Sequence, residues 1–169
     1  FEVQYNGIAP QGHQIGNNYE PNNSGFGPGQ WGTIIGSLWW YNQFSDDDKR
    51  KPATWLTEYP APSGDSTIQW HEFQYPAPHI NKYRDPDNKV SDGMAYNLRV
   101  LRLADILLVA AEAINELDGP TEAAYEHVNR VRDRAGLDDL SGLTQDQLRD
   151  SIYLEFRKEL CFEGQDYEE

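Results

Sequence analysis

Residues 97–167 read NLRVLRLADILLVAAEAINELDGPTEAAYEHVNRVRDRAGLDDLSGLTQDQLRDSIYLEFRKELCFEGQDY, and the spacing of their apolar side chains decides the fold class. Leu98, Leu101, Ile106, Val109, Ala110, Ala113, Ile114 and Leu117 recur at intervals of three and four, with Arg99, Arg102, Glu112 and Glu116 beside them. That period predicts a helix with this stripe turned to a core. Gly119-Pro120 ends the helix, since glycine accepts the left-handed terminal conformation and proline cannot continue the ladder. Thr121 is placed to cap a second helix that carries Ala124, Tyr125, Val128, Val131 and Ala135 and closes at Gly136. The two form a helical hairpin that is similar in part to a tetratricopeptide unit, although the usual aromatic signature at its start is missing. Thr144 with Gln147 makes a capping box, and Leu148, Ile152, Leu154, Phe156, Leu160 and Cys161 follow in a third helix that runs toward Gly164.

Within these helices lie three ordered motifs. They are Arg102-Leu103-Ala104-Asp105-Ile106-Leu107-Leu108 with Ala111-Glu112-Ala113 and Asn115-Glu116; Val128-Asn129-Arg130-Val131-Arg132-Asp133-Arg134-Ala135-Gly136-Leu137; and Glu155-Phe156-Arg157-Lys158-Glu159-Leu160-Cys161-Phe162-Glu163-Gly164. Together they resemble the C-terminal half of the SusD/RagB family. Phe156 stands where that family usually has arginine. Upstream, Phe1-Glu2-Val3-Gln4-Tyr5 resembles the strand that opens the family's C-terminal region, and Phe44 with Asp48-Lys49-Arg50-Lys51 resembles its phenylalanine, aspartate and arginine element. The resemblance implies a mainly α architecture: tetratricopeptide-like helical hairpins with long loop-rich insertions and a little β-structure. Residues 1–95 would be the insertions that carry the ligand face, and residues 96–169 the helical scaffold. It also implies a lipoprotein on the outer face of a Bacteroidetes-type outer membrane. Such a protein captures glycans or other oligomeric nutrients and passes them to a SusC-like TonB-dependent transporter, without chemistry.

The first half supplies residues suited to that task. From Gly7 to Pro62, glycine, proline, asparagine and glutamine interrupt every apolar run, and all but one of the five tryptophans fall between Trp31 and Trp55. Loop-rich segments on a scaffold are where recognition residues gather. Sugar rings stack their C–H faces on aromatic rings and need amide partners for their hydroxyls. Phe26, Trp31, Trp39, Tyr41, Asn42, Trp55 and Trp70 are therefore the candidate ligand-binding residues, with Asn17, Asn18, Asn22, Asn23, Gln30 and Gln43 as amide donors. Trp31 with Phe26 leads, because Gly27, Pro28, Gly29 and Gly32 break the segment around them. Trp40 and Phe44, four apart, share a helical face and are assigned to packing, in Trp40's case at a position where the family is usually aliphatic; Tyr5 and Tyr83 are assigned to support.

Charge and composition narrow the partners. With 28 acidic against 14 basic residues the net charge is −14, which repels nucleic acid and anionic lipid. No apolar run reaches the roughly 18 residues of a membrane-spanning helix, so any attachment would be a lipid anchor outside these residues. An opening in strand-like Phe1-Glu2-Val3 without methionine or lipobox reads as part of a longer chain. The single Cys161 excludes an internal disulfide and reads as a buried thiol.

The acids do not form a catalytic pair by sequence. Asp46-Asp47-Asp48 reads as a solvated turn or helix terminus, while Asp105, Glu112, Glu155, Glu159 and Glu163 read as salt-bridge partners of Arg99, Arg102, Arg157 and Lys158. No catalytic residue and no cofactor is assigned. The cluster of Asp85, Asp87, Asn88, Asp92 and Gly93 keeps calcium as a candidate, although the glycine and a bidentate glutamate are not at the positions a calcium loop requires. His13, His71, His79 and His127 lack metal-ligand spacing. Two other functions stay open. One is a peptide-binding adaptor using Arg99, Glu112, Asn115 and Arg130 on a concave helical surface, and the other is a carbohydrate-active hydrolase with two opposed acids.

Overall fold

In the computed structural model, which describes residues 1–6, 8, 11–26, 29–85 and 93–164, short elements precede three long helices. In chain order they are β1 (Glu2–Val3), α1 (Ile15–Tyr19), α2 (Leu38–Tyr41), α3 (Arg50–Thr54), β2 (Trp55–Leu56), β3 (Glu58–Pro60), β4 (Thr67–Gln69), β5 (His79–Ile80), β6 (Leu98–Arg99), α4 (Leu103–Asp118), α5 (Glu122–Ala135) and α6 (Gln145–Glu159). A 3-10 turn covers Trp70–Glu72. The fold is mainly helical. It divides into a helical unit of residue 1, residues 46–50 and residues from 99 onward, and a loop-rich unit of residues 2–45 and 51–98.

In the helical unit, α4 begins at Arg102, whose extended backbone donates its N–H to the Asp105 carboxylate at 2.5 Å. It ends at Gly119, and α5 ends at Gly136, whose φ of +76° is the left-handed value that glycine alone takes without strain. Thr144 caps α6 by accepting from the Gln147 N–H, as the spacing predicts. Leu107, Leu108 and Ala111 of α4 meet Val128 and Val131 of α5 and Leu148, Ile152 and Phe156 of α6 in one core. Burying each large aliphatic or aromatic side chain contributes roughly 1.5–3 kcal/mol. Asn115 adds a polar tie, donating to the Gln145 carbonyl at 3.0 Å while Gln145 donates back to the Asn115 carbonyl at 2.6 Å. Cys161 is buried and unpaired with another cysteine.

Two expectations are corrected here. The helix predicted from Leu98 starts at Leu103, because Leu98 and Arg99 are extended. The face predicted to be buried is also the wrong one. Ala104, Leu107, Leu108, Ala111 and Asn115 point inward, whereas Ile106, Val109 and Leu117 are 51%, 47% and 84% exposed. Residues 103–117 are apolar nearly all round, so periodicity identifies the helix without selecting its inner face.

A buried ionic network completes this unit, and of the two readings of Asp48 it favours the helix terminus over the solvated turn, for Asp48 is fully buried and accepts the Arg50 N–H at the start of α3 at 3.0 Å. The Arg50 guanidinium donates from Nε and Nη2 to both Asp48 oxygens at 2.9 and 2.8 Å and from Nη1 to Glu155 at 2.8 Å. Arg132 donates to the other Glu155 oxygen at 2.5 Å. Arg102 grips Glu163 with two bonds of 2.8 and 3.0 Å and also binds Glu159, which Arg134 reaches as well. Planar guanidiniums suit these two-oxygen contacts.

Among the described residues the loop-rich unit includes the short antiparallel pairs β2–β5 and β3–β4. β2 and β5 align Trp55 with Ile80 and Leu56 with His79, and β3 and β4 align Tyr59 with Ile68. Aromatic edges fill the core: Phe44 and Tyr41 stand edge-on to Trp55 at 5.9 and 5.7 Å, and Phe73 lies 5.1 Å from Tyr59.

Candidate functional site

The stretch that presents ligand-type side chains is residues 29–44, and it is held by its backbone. Trp31 donates its N–H to the Asn17 carbonyl at 2.8 Å, Ile34 to the Asn18 carbonyl at 3.0 Å and Gly36 to the Pro78 carbonyl at 3.1 Å. Gly36 lies so close to Trp55 that an added Cβ would stand 2.0 Å from the indole ring. Only glycine allows that approach. Beyond it Ser37 leads into α2, where Trp39 and Trp40 stack at 5.9 Å with 28° between their planes, and Trp40 meets Phe44 edge-on.

This anchorage leaves an apolar run facing outward. Trp39 is 62% exposed and Trp31 39%, and Ile34, Ile35 and Leu38 are exposed between them. The sequence reading passed over Ile34, Ile35 and Leu38. The signal for the first two was an aliphatic pair between Gly32 and Gly36 with no alternation that could bury it, and Leu38 follows two residues after Gly36.

The other candidates are placed differently. Trp55 is 2% exposed and serves as the floor on which Gly36 rests, so the expectation of a ligand contact there is corrected to packing. Phe26 is partly exposed, but the Arg84 guanidinium covers one ring face at 4.5 Å and Tyr59 meets the ring edge-on. Tyr41 is half-buried with the Lys51 ammonium over its ring at 4.7 Å. Trp70 is half-buried in the 3-10 turn beside His71. Asn42 is exposed at the end of α2.

Most of the amides fold the loop rather than face outward. Asn18 accepts from the Thr33 hydroxyl at 2.7 Å, Asn22 donates to Gln74 at 2.6 Å, Gln30 accepts from the Gly25 N–H at 3.1 Å, and Gln43 donates to the Trp39 carbonyl at 3.3 Å. Asn17 is buried.

The same unit holds an unusual acid, whose backbone carbonyl lies close to Gly32. Glu20 is 2% exposed, and among the described residues neither of its carboxylate oxygens has a hydrogen-bond partner. Burial pushes its carboxyl up to about 7, against the pull of the Arg84 charge and with a further push from Asp85. Burial also lowers the proton affinity of His79, whose Nδ1–H donates to the Tyr19 carbonyl at 2.9 Å.

Among the described residues no three histidine, cysteine or acidic side chains are grouped so as to hold a metal ion, and Asp87, Asn88 and Asp92 of the calcium candidate lie outside the described residues. No helix among them is long and apolar enough to cross a membrane. On α5 a shallow groove is lined by Glu122, Tyr125, Glu126, Asn129, Arg130 and Asp133. Of the other residues named for an adaptor surface, Asn115 is buried between α4 and α6, so the set does not form one accessible face.

A model of the SusD family matches residues 62–169. SusD-like protein P2 of Formosa agariphila is 34% identical over 149 residues, covering 79% of this chain and 30% of that protein. A SusD superfamily protein from Parabacteroides distasonis superposes with a TM-score of 0.80 at 22% identity over 96% of this chain and 36% of its own. Surface glycan-binding protein A from Bacteroides uniformis superposes with a TM-score of 0.74 at 29% identity over 99% of this chain and 35% of its own. The chain thus spans about a third of the length of these relatives.

Proposed function

The chain belongs to the SusD family, and from that premise we propose that it forms part of a non-catalytic, surface-exposed protein that captures glycans. The observation that carries the proposal is the outward run of Trp31, Ile34, Ile35, Leu38 and Trp39 on a backbone anchored to three carbonyls. A rigid, apolar, partly aromatic surface binds the C–H faces of sugar rings without first losing loop entropy. The name of the Bacteroides uniformis relative, a surface glycan-binding protein, supports the same reading. Captured ligand would pass to a SusC-like TonB-dependent transporter at the outer face of the outer membrane, with the lipid anchor outside these residues. Hydrolysis is not proposed, because Asp48, Glu155, Glu159 and Glu163 are all engaged with arginines.

The test uses the full-length protein, titrated with a panel of oligosaccharides while tryptophan fluorescence and released product are followed. Saturable binding without product is expected. Trp31→Ala should weaken it by roughly 2- to 10-fold, the value of one stacking contact of about 0.5–1.5 kcal/mol. Product formation, or no response to any saccharide, would overturn the proposal.

A further inference from the structure

The platform's chemistry distinguishes between two classes of glycan. Residues 21–45, which include the whole exposed run, contain no aspartate, glutamate, lysine or arginine, in a chain whose net charge is −14. Polysaccharides bearing sulfate or uronate are recognised through cationic N–H donors, arginine above all, because a desolvated anion needs a charged partner. The run offers none. Among the described residues of this unit, Lys51 lies over the ring face of Tyr41 and Arg84 over that of Phe26. The ring quadrupole already holds them.

What the run does offer is apolar area. Trp39 exposes more of itself than any other residue of the run, and its ring is backed by Trp40 at 5.9 Å, so the pair presents a braced surface. Leu38, Ile34 and Ile35 extend it with aliphatic surface. The polar atoms near it are uncharged: the amides of Asn18 and Gln43 are bonded within the loop, and Asn42 at the end of α2 is exposed. A surface of this kind rewards ligands with uninterrupted C–H faces and penalises those whose charges would lose water without gaining a partner.

Resting on the glycan-capture reading above, we propose that this site takes neutral glycans and discriminates against sulfated and uronate-containing ones. Binding then carries no ion-pair component and is insensitive to salt.

The experiment is calorimetric titration of the full-length protein with neutral hexasaccharides of glucose or xylose, and in parallel with oligogalacturonate and sulfated galactan oligosaccharides, each at low and high sodium chloride. The proposal expects a neutral ligand to bind with affinity that changes by less than about twofold between about 20 and 500 mM salt, where screening removes exposed ionic contacts. Trp39→Ala should weaken that binding by roughly 2- to 10-fold, and Trp39→Phe, which keeps a ring, should retain most of it with an unchanged melting temperature. Binding confined to anionic oligosaccharides, or falling steeply with salt, overturns the neutral-ligand proposal and leaves glycan capture standing. Neutral binding unchanged in Trp39→Ala overturns the assignment to this site. Failure to bind any saccharide overturns glycan capture itself.

Discussion

Glu20, and Asp48 beside Arg50, show how a carboxyl group is buried in two ways. The Glu20 carboxyl has no hydrogen-bonded partner among the described residues, and burial raises it from 4.5 to about 7. The folded state therefore holds a proton that the unfolded chain has released. Its contribution to stability is complete below pH 4.5 and is lost as pH rises through about 7. Denaturant titrations from pH 5 to pH 8 should show the stability difference between the protein and Glu20→Gln changing with pH, with the advantage of the native side chain falling as pH rises, a comparison in which the opposite contribution of His79 cancels. A difference that stays constant over this range would place the proton elsewhere. Arg50 presents the opposite case. Burial disfavours the charged forms of Asp48 and Glu159, yet the arginines outweigh it, Arg50 chiefly for Asp48 and Arg102 chiefly for Glu159, so both carboxyls stay below their ordinary values of 3.8 and 4.5. Their contribution is present above that range and disappears as pH falls through the lowered values. Arg50→Met would strip the buried Asp48 of the guanidinium that binds both its oxygens and leave Glu155 held by Arg132, and should cost about 3–5 kcal/mol at neutral pH, read from the denaturation midpoint. Sequence alone gave Asp48 no such role, because a run of three aspartates looks solvated until Arg50 and Glu155 are seen around the third.

At the scale of elements, local rules were legible and facing was not. Thr144 with Gln147, the stop at Gly119 and the stop at Gly136 are short-range chemistry, and each helix end stands where those residues place it. The inner stripe of α5 was equally readable, since Glu122, Glu126, Arg130 and Asp133 leave only one apolar side. For α4 both sides are apolar, and only packing on α5 and α6 decides between them. Its outer side, with Leu103, Ile106, Val109 and Leu117, stays exposed. A contiguous apolar face of this kind promotes association. The 169-residue chain expressed alone should therefore self-associate with rising concentration in sedimentation experiments, and Ile106→Glu combined with Leu117→Lys should reduce this with helical content unchanged. A monodisperse unsubstituted chain would contradict the expectation. In the loop-rich unit, the exposure of Trp31 was legible from its glycine-broken surroundings, whereas Trp39 carried no such signal and Trp55 was not separable from them until β2 paired with β5 and enclosed it.

At the scale of the whole molecule, the two units are stabilised by different means. The helical unit relies on side chains that must be what they are: guanidinium against carboxylate, and leucine, valine and phenylalanine in one core. The loop-rich unit holds its exposed run through the main-chain N–H groups of Trp31, Ile34 and Gly36. A backbone hydrogen bond is indifferent to the side chain attached to its donor. Substitutions at residues 31, 34, 35, 38 and 39 can therefore accumulate with little effect on the path of the loop, provided Gly36 keeps its seat on Trp55. Such a design separates what must be inherited unchanged from what can drift, so that one framework can be given a different outward face by exchanging a handful of residues.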